Sequence, residues 1–500
     1  MSEQHDQPGK PREACGLFGI CGHEEAVYNT FLGLYALQHR GEESCGIAST
    51  NGTEIVSHRA MGLVSDALTP EVLAGLKNRT AIGHVRYSTT GGSRLENAQP
   101  FVAGYSGGPI AIAHNGNLVN TAELRRDYER NGGVFQTTTD TEVIVHVIAK
   151  SGGPFDGTLR QAQGRPEPFD SAHGRMGGAT GERYGECLNA LKGSYSLLIL
   201  TPHELIAARD PHGFRPLSLG ELKGAYAVAS ETCALRQVGA RYVRDIEPGE
   251  MIRITDGDLE SHRFAPRSEI RPQHCIFELI YFARPDSMVF GQNVHEVRKK
   301  LGVQLAREHP VEADVVAPIP DGGNSAAVGY SRASGIPLDY GFIRNHYVGR
   351  TFIQASQAQR SIGVAIKLSP VEEVVSGKRV VVVDDSIVRG TTSRAKIAQL
   401  RDAGAREIHM RVTCPPHCHP CYYGIDFQAK RELIAARSPL EEIRRFLKLD
   451  SLGYLSVDGM LSCVKPPKEN YCAACFTGEY AVPPCAEDGK FSLEVGSEKA

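Results

Sequence analysis

Two neighbouring aspartates, Asp384 and Asp385, close the apolar run VVVVDD and are followed at once by SIVRGTTS. A buried strand ending in paired carboxylates delivers them to the edge of a sheet, where they can hold a hydroxylated ligand or its Mg2+. Ser386 to Ser393 then supply hydroxyls, a glycine and the unpaired N–H groups of a helix N-terminus, an anion cradle suited to phosphate. The spacing of a Walker loop is absent. The plainer alternative is a buried strand and a capped turn with merely solvated acids. Cys15 is a second candidate. It follows the polar leader MSEQHDQPGKPREA and opens the run CGLFGIC. If residues 1–14 are removed as a propeptide, Cys15 gains an α-amine of unperturbed pKa about 7.7–8.0. That amine can take the thiol proton, so nucleophile and base reside on one residue. Without such surroundings a lone thiol is an ordinary small buried side chain. Third, six of the 13 cysteines lie between Cys414 and Cys475, with C-x-x-C pairs at Cys418/Cys421 and Cys472/Cys475. An odd cysteine count in a long chain points to metal or catalysis rather than a disulfide framework. By spacing alone, the two pairs suggest a structural zinc knuckle.

These groups need scaffolding of two kinds. From Cys15, short β-like runs such as IGHVRYST (82–89) and PIAIAH (109–114) alternate with helical patterns. TEVIVHVIAK (141–150) places Val143, Ile144, Val147 and Ile148 on one helical face. The stretch 151–183, rich in Gly, Pro, Arg and Gln, reads as a surface insertion. Regular structure resumes at ECLNALKGSYSLLIL and continues to EMIRI (250–254). A second unit begins near 270. There DVVAPIP (314–320) and KRVVVVDD (378–385) read as buried strands, each followed by a turn and a helix, the second helix closed by Gly404. That alternation implies a parallel sheet with ligands at the strands' carboxyl ends. The cysteine-rich tail from 414 reads as an appendage to it.

VVVVDDSIVRGTTS closely resembles the ribose-phosphate signature of type I phosphoribosyltransferases, which bind phosphoribosyl pyrophosphate. The resemblance implies that Asp384 and Asp385 contact the ribose hydroxyls, directly or with Mg2+, and that Val388, Arg389, Gly390, Thr391, Thr392 and Ser393 grip the 5-phosphate. RNHYVGRTF (344–352) resembles the closing loop of the glutamine-dependent branch, which would set Arg350 near pyrophosphate. His346 stands where that branch usually has a basic residue, and Gly322 where it has a hydroxyl residue assigned to the metal. CGLFGI, QHRGEES (38–44), GHVRYST (83–89), AHNGN (113–117) and TDTE (139–142) together resemble the glutaminase domain of N-terminal-nucleophile amidotransferases. That implies Cys15 as nucleophile, Asn115 and the Gly116 N–H as oxyanion hole, Arg86 on the substrate carboxylate and Asp140 on its ammonium. The implied architecture is α/β and α+β: an αββα glutaminase sandwich over 15–255, then a parallel-sheet phosphoribosyltransferase domain over 270–480 with a cluster-binding tail, and a flexible C-terminus over 481–500. Cys275, Cys421, Cys472 and Cys475 occupy the ligand positions of a [4Fe–4S] cluster, which resembles the iron–sulfur subclass of the amidophosphoribosyltransferases.

The implied reaction converts glutamine, phosphoribosyl pyrophosphate and water into phosphoribosylamine, glutamate and pyrophosphate, opening purine synthesis. Ammonia would travel in a closed passage made as 344–352 folds over substrate. The resemblance further implies a zymogen, a homotetramer and inhibition by purine nucleotides. Composition agrees with a globular chain: 41% hydrophobic and 23% charged residues exclude wholesale disorder and fibres. The balance of 55 basic and 58 acidic residues gives no general field for nucleic acid. No apolar run approaches bilayer length and the leader lacks a secretory core, so the expected location is cytoplasmic, with no membrane partner. Two rivals are another glutamine-dependent synthase and a non-enzymatic sensor of phosphoribosyl pyrophosphate. The aspartate-cradle run argues against the first, and the intact Cys15, Arg86, Asn115 and Asp140 against the second.

Overall fold

The computed structural model describes residues 15–87, 91–150, 178–345, 368–427 and 429–484, with side chains omitted for 178–183. The chain divides into two compact units. The expected leader, most of the 151–183 insertion, Arg350, His346 and nearly all of the 481–500 terminus lie outside the described residues.

Among the described residues, the first unit comprises Cys15–His274, Tyr422–Asp426 and Tyr480–Pro484. It is built on two antiparallel sheets of seven and six strands. Thr80–Arg86 and Ala225–Ala229 flank Gly16–Cys21 in the larger sheet; Gly108–Leu118 and Gly193–Leu200 are neighbours in the smaller one. Strand alternation explains the layering. Leu17, Ile82, Ala113, Leu198 and Val228 fill the space between the sheets, whereas their neighbours Phe18 and Val85 join Leu34 and Leu235 of the outer helices. Gly33 lets helix Ala26–Ala36 close on Phe18, since a Cβ there would lie 2.3 Å from the ring. On the other side Val143, Ile144, Val147 and Ile148 of helix Asp140–Lys150 pack on the smaller sheet, the face read from their spacing. Helix, sheet, sheet, helix is the expected αββα order. Helix Gly178–Ala190 begins within the stretch read as an insertion. Strand Leu259–Arg263 adds a partner to Glu250–Ile254 beyond residue 255.

The second unit comprises Cys275–Cys421 and Phe427–Glu479. Its sheet is parallel, in the order Val315–Pro318, Arg379–Asp384, Glu407–Val412, Ser451–Tyr454. The last strand corrects the reading of everything after 414 as an appendage. A four-residue strand with only Leu452 and Tyr454 as large apolar groups is too short to show a period. Helix Thr391–Asp402 follows the aspartate strand, and Gly404, with φ +87, stands just past its end as expected.

Candidate functional site

Cys15 stands immediately before strand Gly16–Cys21, whose pairing of Gly16 with Val85 brings Arg86 and Tyr87 beside it. The thiol is 6% exposed and donates to the Tyr87 carbonyl at 3.4 Å. Arg40 fixes the Cys15 backbone, with Nε donating to its carbonyl at 3.0 Å. Arg40 and Glu231, both fully buried, pair at 2.6 Å, and His39 Nε2 lies 2.8 Å from the same carboxylate oxygen. Burial opposes ionisation of Glu231, but the charges and hydrogen bonds of His39 and Arg40 override it and hold the carboxyl well below its usual range. Neither Arg40 nor Glu231 was singled out in the sequence. QHRG lay within a matching motif, yet nothing in it says that the arginine turns inward.

The other proposed glutamine-site residues gather around this thiol. Burial pushes the Cys15 pKa up; Arg86 offsets this in part, while Asp140 and Glu43 add to it. Arg86 is buried, 3.3 Å from the Gly92 carbonyl and 4.0 Å from Glu43 Oε2. Asp140 opens its helix and accepts the Leu118 N–H at 3.2 Å, with Oδ1 3.4 Å from His114 Nδ1. Burial would raise its pKa, but His114, the Leu118 N–H and Arg86 together lower it, so the carboxylate stays ionised. His114 is a second residue that the sequence did not reveal as a partner. Asn115 is fully buried, and neither its amide oxygen nor its nitrogen has a hydrogen-bond partner. Gly116 follows at φ +150, where a Cβ would lie 2.1 Å from the Ser194 carbonyl oxygen, so only glycine fits.

In the second unit Asp384 ends its strand and Asp385 follows, both fully buried, which removes the alternative of solvated acids. The Asp385 N–H donates to Asp384 Oδ1 at 3.0 Å, and the Ser386 hydroxyl donates to Asp385 Oδ1 at 2.6 Å. Asp384 Oδ2 lies 3.7 Å from Lys396 Nζ, a buried lysine on helix Thr391–Asp402. Gly390 caps that helix at φ +78, with Thr391 exposed and Ser393 buried after it. Two of the predicted cradle residues are placed differently from the rest. The Val388 side chain is buried, and Arg389 is paired with Glu432. Gly322 lies just past strand Val315–Pro318. Its neighbour Gly323 sits where a Cβ would meet the Val383 carbonyl at 2.2 Å.

The twelve described cysteines are free thiols. Strand His274–Cys275 pairs with Tyr471–Cys472, which brings the two segments together, and Cys475 follows in helix Ala474–Thr477. Burial pushes the Cys475 pKa well up, and Cys421, Cys275, Cys472 and Cys414 add to the shift. The four predicted ligands are therefore neighbours. Among the described residues no three His, Cys, Asp or Glu side chains are placed to hold a single metal ion, and Cys418 instead donates to the Ala435 carbonyl. The zinc knuckle suggested by C-x-x-C spacing is thus not assembled. His417, buried and kept neutral with its pKa pulled down to about 3, sits against Phe277, Phe427 and Phe476 beside these thiols. Among the described residues no helix is long and apolar enough to cross a membrane.

Known proteins show the same two-part arrangement. Residues 74–164 and 175–237 match family models described as glutamine amidotransferase domains, and 292–424 match a phosphoribosyl transferase domain. The amidophosphoribosyltransferase of Bacillus subtilis (strain 168) is 48% identical over 94% of each chain. That of Methanothermobacter thermautotrophicus is 47% identical over 94% of this chain and 95% of its own. Two solved structures align with TM-score 0.85. One is described as the allosteric regulatory enzyme of purine biosynthesis, at 47% identity over 95% of this chain and 97% of that one. The other is the glutamine phosphoribosylpyrophosphate amidotransferase of B. subtilis complexed with ADP and GMP, at 46% identity over 96% and 100%.

Proposed function

The chain belongs to the amidophosphoribosyltransferase family, glutamine-dependent pentosyltransferases that use glutamine and phosphoribosyl pyrophosphate, and from that premise we propose how its own residues carry the reaction. Removal of residues 1–14 frees the Cys15 α-amine, which takes the thiol proton. While that nitrogen is acylated it cannot act as a base, and burial keeps the thiol protonated, so the longer chain is a zymogen. The thiolate adds to the glutamine side-chain carbonyl, forming a C–S bond and an oxyanion. Asn115 Nδ2 and the Gly116 N–H receive that charge. Collapse breaks the C–N bond, the amine's proton leaves with ammonia, and water then splits the thioester to glutamate and free thiol. Arg86 binds the substrate carboxylate and Asp140 its ammonium.

The unpartnered amide of buried Asn115 carries this reading. Buried polar groups are almost always hydrogen-bonded, so an amide with both ends open inside the protein is suited to a ligand.

In the second unit Asp384 and Asp385 take the ribose hydroxyls, while the backbone of 388–390 and the hydroxyls of Thr391, Thr392 and Ser393 take the 5-phosphate. Mg2+ held by the aspartates, with Arg350, would neutralise the departing pyrophosphate. The buried pair of carboxylates at the end of its strand, followed at once by the capped helix, supports that reading. Cys275, Cys421, Cys472 and Cys475 supply the four soft thiolates a [4Fe–4S] cluster takes, Cys421 and Cys475 buried and Cys275 and Cys472 partly exposed, and the first three lie near enough to Cys475 to raise its pKa. The domains are assigned as 15–255 for glutaminase and 270–480 for transfer. A cytoplasmic homotetramer inhibited by purine nucleotides completes the proposal, the last supported by the ADP and GMP of the B. subtilis neighbour.

A glutaminase assay on mature protein, with and without phosphoribosyl pyrophosphate, tests it. Cys15→Ala should abolish glutamine turnover. Unchanged turnover in that variant overturns the nucleophile, and turnover without pyrophosphate release overturns the coupling to transfer.

A further inference from the structure

AHNGN carries a second asparagine that the proposed chemistry leaves without a task. Asn117 lies two residues beyond Asn115 on strand Gly108–Leu118, is buried, and donates Nδ2 to the Tyr422 carbonyl at 3.0 Å. Arg215, fully buried, donates Nη2 to the neighbouring Tyr423 carbonyl at 3.0 Å. The two bonds seize a five-residue segment of the same unit, Tyr422–Asp426, whose Tyr423 ring also stacks on Phe214 with centroids 4.2 Å apart. Gly424 of that segment, at φ +97, presses on Gly116: a Cβ there would lie 3.0 Å from the Gly116 carbonyl carbon and 3.1 Å from its oxygen. The Ser194 carbonyl closes in on Gly116 as well. The Cα and carbonyl of Gly116, the two groups that follow its N–H, are thus walled between two backbones.

A glycine at φ +150 has no side chain to hold its peptide plane, so the direction of its N–H depends on what surrounds it. An oxyanion donor works only within about 2.7–3.1 Å of the developing charge. We propose that Asn117 and Arg215 are positioning residues for the glutaminase half-reaction: by clamping 422–426 behind Gly116, they fix the oxyanion donor. The inference rests on Asn115 and Gly116 forming the oxyanion hole.

The test compares Asn115→Ala, Asn117→Asp and Gly424→Ala in mature full-length enzyme. Asn117→Asp keeps the shape but replaces the donor N–H2 with a carboxylate oxygen facing a carbonyl. Glutaminase kcat should fall about 10²-fold, as for a misplacement of about 1 Å, with KM nearly unchanged. Binding of glutamate γ-semialdehyde, whose carbonyl adds the Cys15 thiol to give a tetrahedral hemithioacetal, should weaken by the same factor. Binding of glutamate, which forms no such adduct, should not. A role in folding alone would lower both affinities together or neither. If Asn115→Ala leaves aldehyde binding intact, the oxyanion reading fails and takes the clamp with it. If Asn115→Ala weakens it while Asn117→Asp does not, the clamp alone is overturned. Should Gly424→Ala fail to fold, Asn117→Asp decides by itself.

Discussion

Arg40 bears on catalysis without facing substrate: it ties the Cys15 carbonyl to Glu231 inside the protein. Removing one member of a buried ion pair strands the other charge, at about 3–5 kcal/mol. Glu231→Gln should therefore lower the melting temperature of the glutaminase unit by on the order of 10 °C at neutral pH. The pH dependence has a definite sign. The Glu231 pKa is depressed on folding, so its contribution is fully present above the unfolded value of about 4.3 and fades as pH falls toward the folded value. The gap between wild type and Glu231→Gln should be widest at neutral pH and narrow below about pH 4. Thermal melts at several pH values check it, and a gap that stays constant with pH would count against the ion pair. Glutaminase kcat should fall as well, since the nucleophile's backbone loses its anchor. At this scale the sequence pointed to Cys15 and Asn115, because each stands in a short continuous motif. It did not show Arg40, Glu231 or His114, whose partners are distant in the chain.

In the proposed reading helix Thr391–Asp402 serves two ends of one ligand. Its first residues belong to the proposed phosphate cradle, and one face returns Lys396 to Asp384 at 3.7 Å. The strand and the cradle were readable because both are continuous in sequence and end on typed residues. Lys396 was not, since a lysine in a helix is ordinarily a solvated residue, and only the closed packing shows it buried. A resident ammonium beside Asp384 repels a second cation. Lys396→Met should lower stability by about 3–5 kcal/mol, because Asp384 loses its partner, and should tighten Mg2+ binding at the aspartates. Calorimetric titration with Mg2+ against a melting curve separates the effects. Loss of stability with weaker metal binding would mean that Lys396 holds the aspartate in its ligating position instead of competing for it.

Across the whole molecule, the cysteines join parts of the second unit that the chain order separates. Cys275 comes from its first strand, Cys421 from beyond the sheet's third strand, and Cys472 and Cys475 from its end. The sequence held these four positions through their resemblance to known ligands, whereas C-x-x-C spacing alone favoured Cys418. Spacing counts residues along one segment, and this site is assembled from three. If a cluster occupies it, the metal closes loops of about 50 and 150 residues, removing chain entropy from the unfolded unit as any long cross-link does. Anaerobically purified protein should contain iron and sulfide and absorb in the visible. Oxidative removal of the cluster should make residues 455–479 cleavable by protease, because the segment's anchoring thiols are then unlinked. Glutaminase strands around Gly16–Cys21, which contain no ligand, should keep their hydrogen-exchange protection. Stoichiometric zinc without iron would reject the cluster. Iron present with no change in cleavage on its removal would reject the staple while leaving the cluster in place.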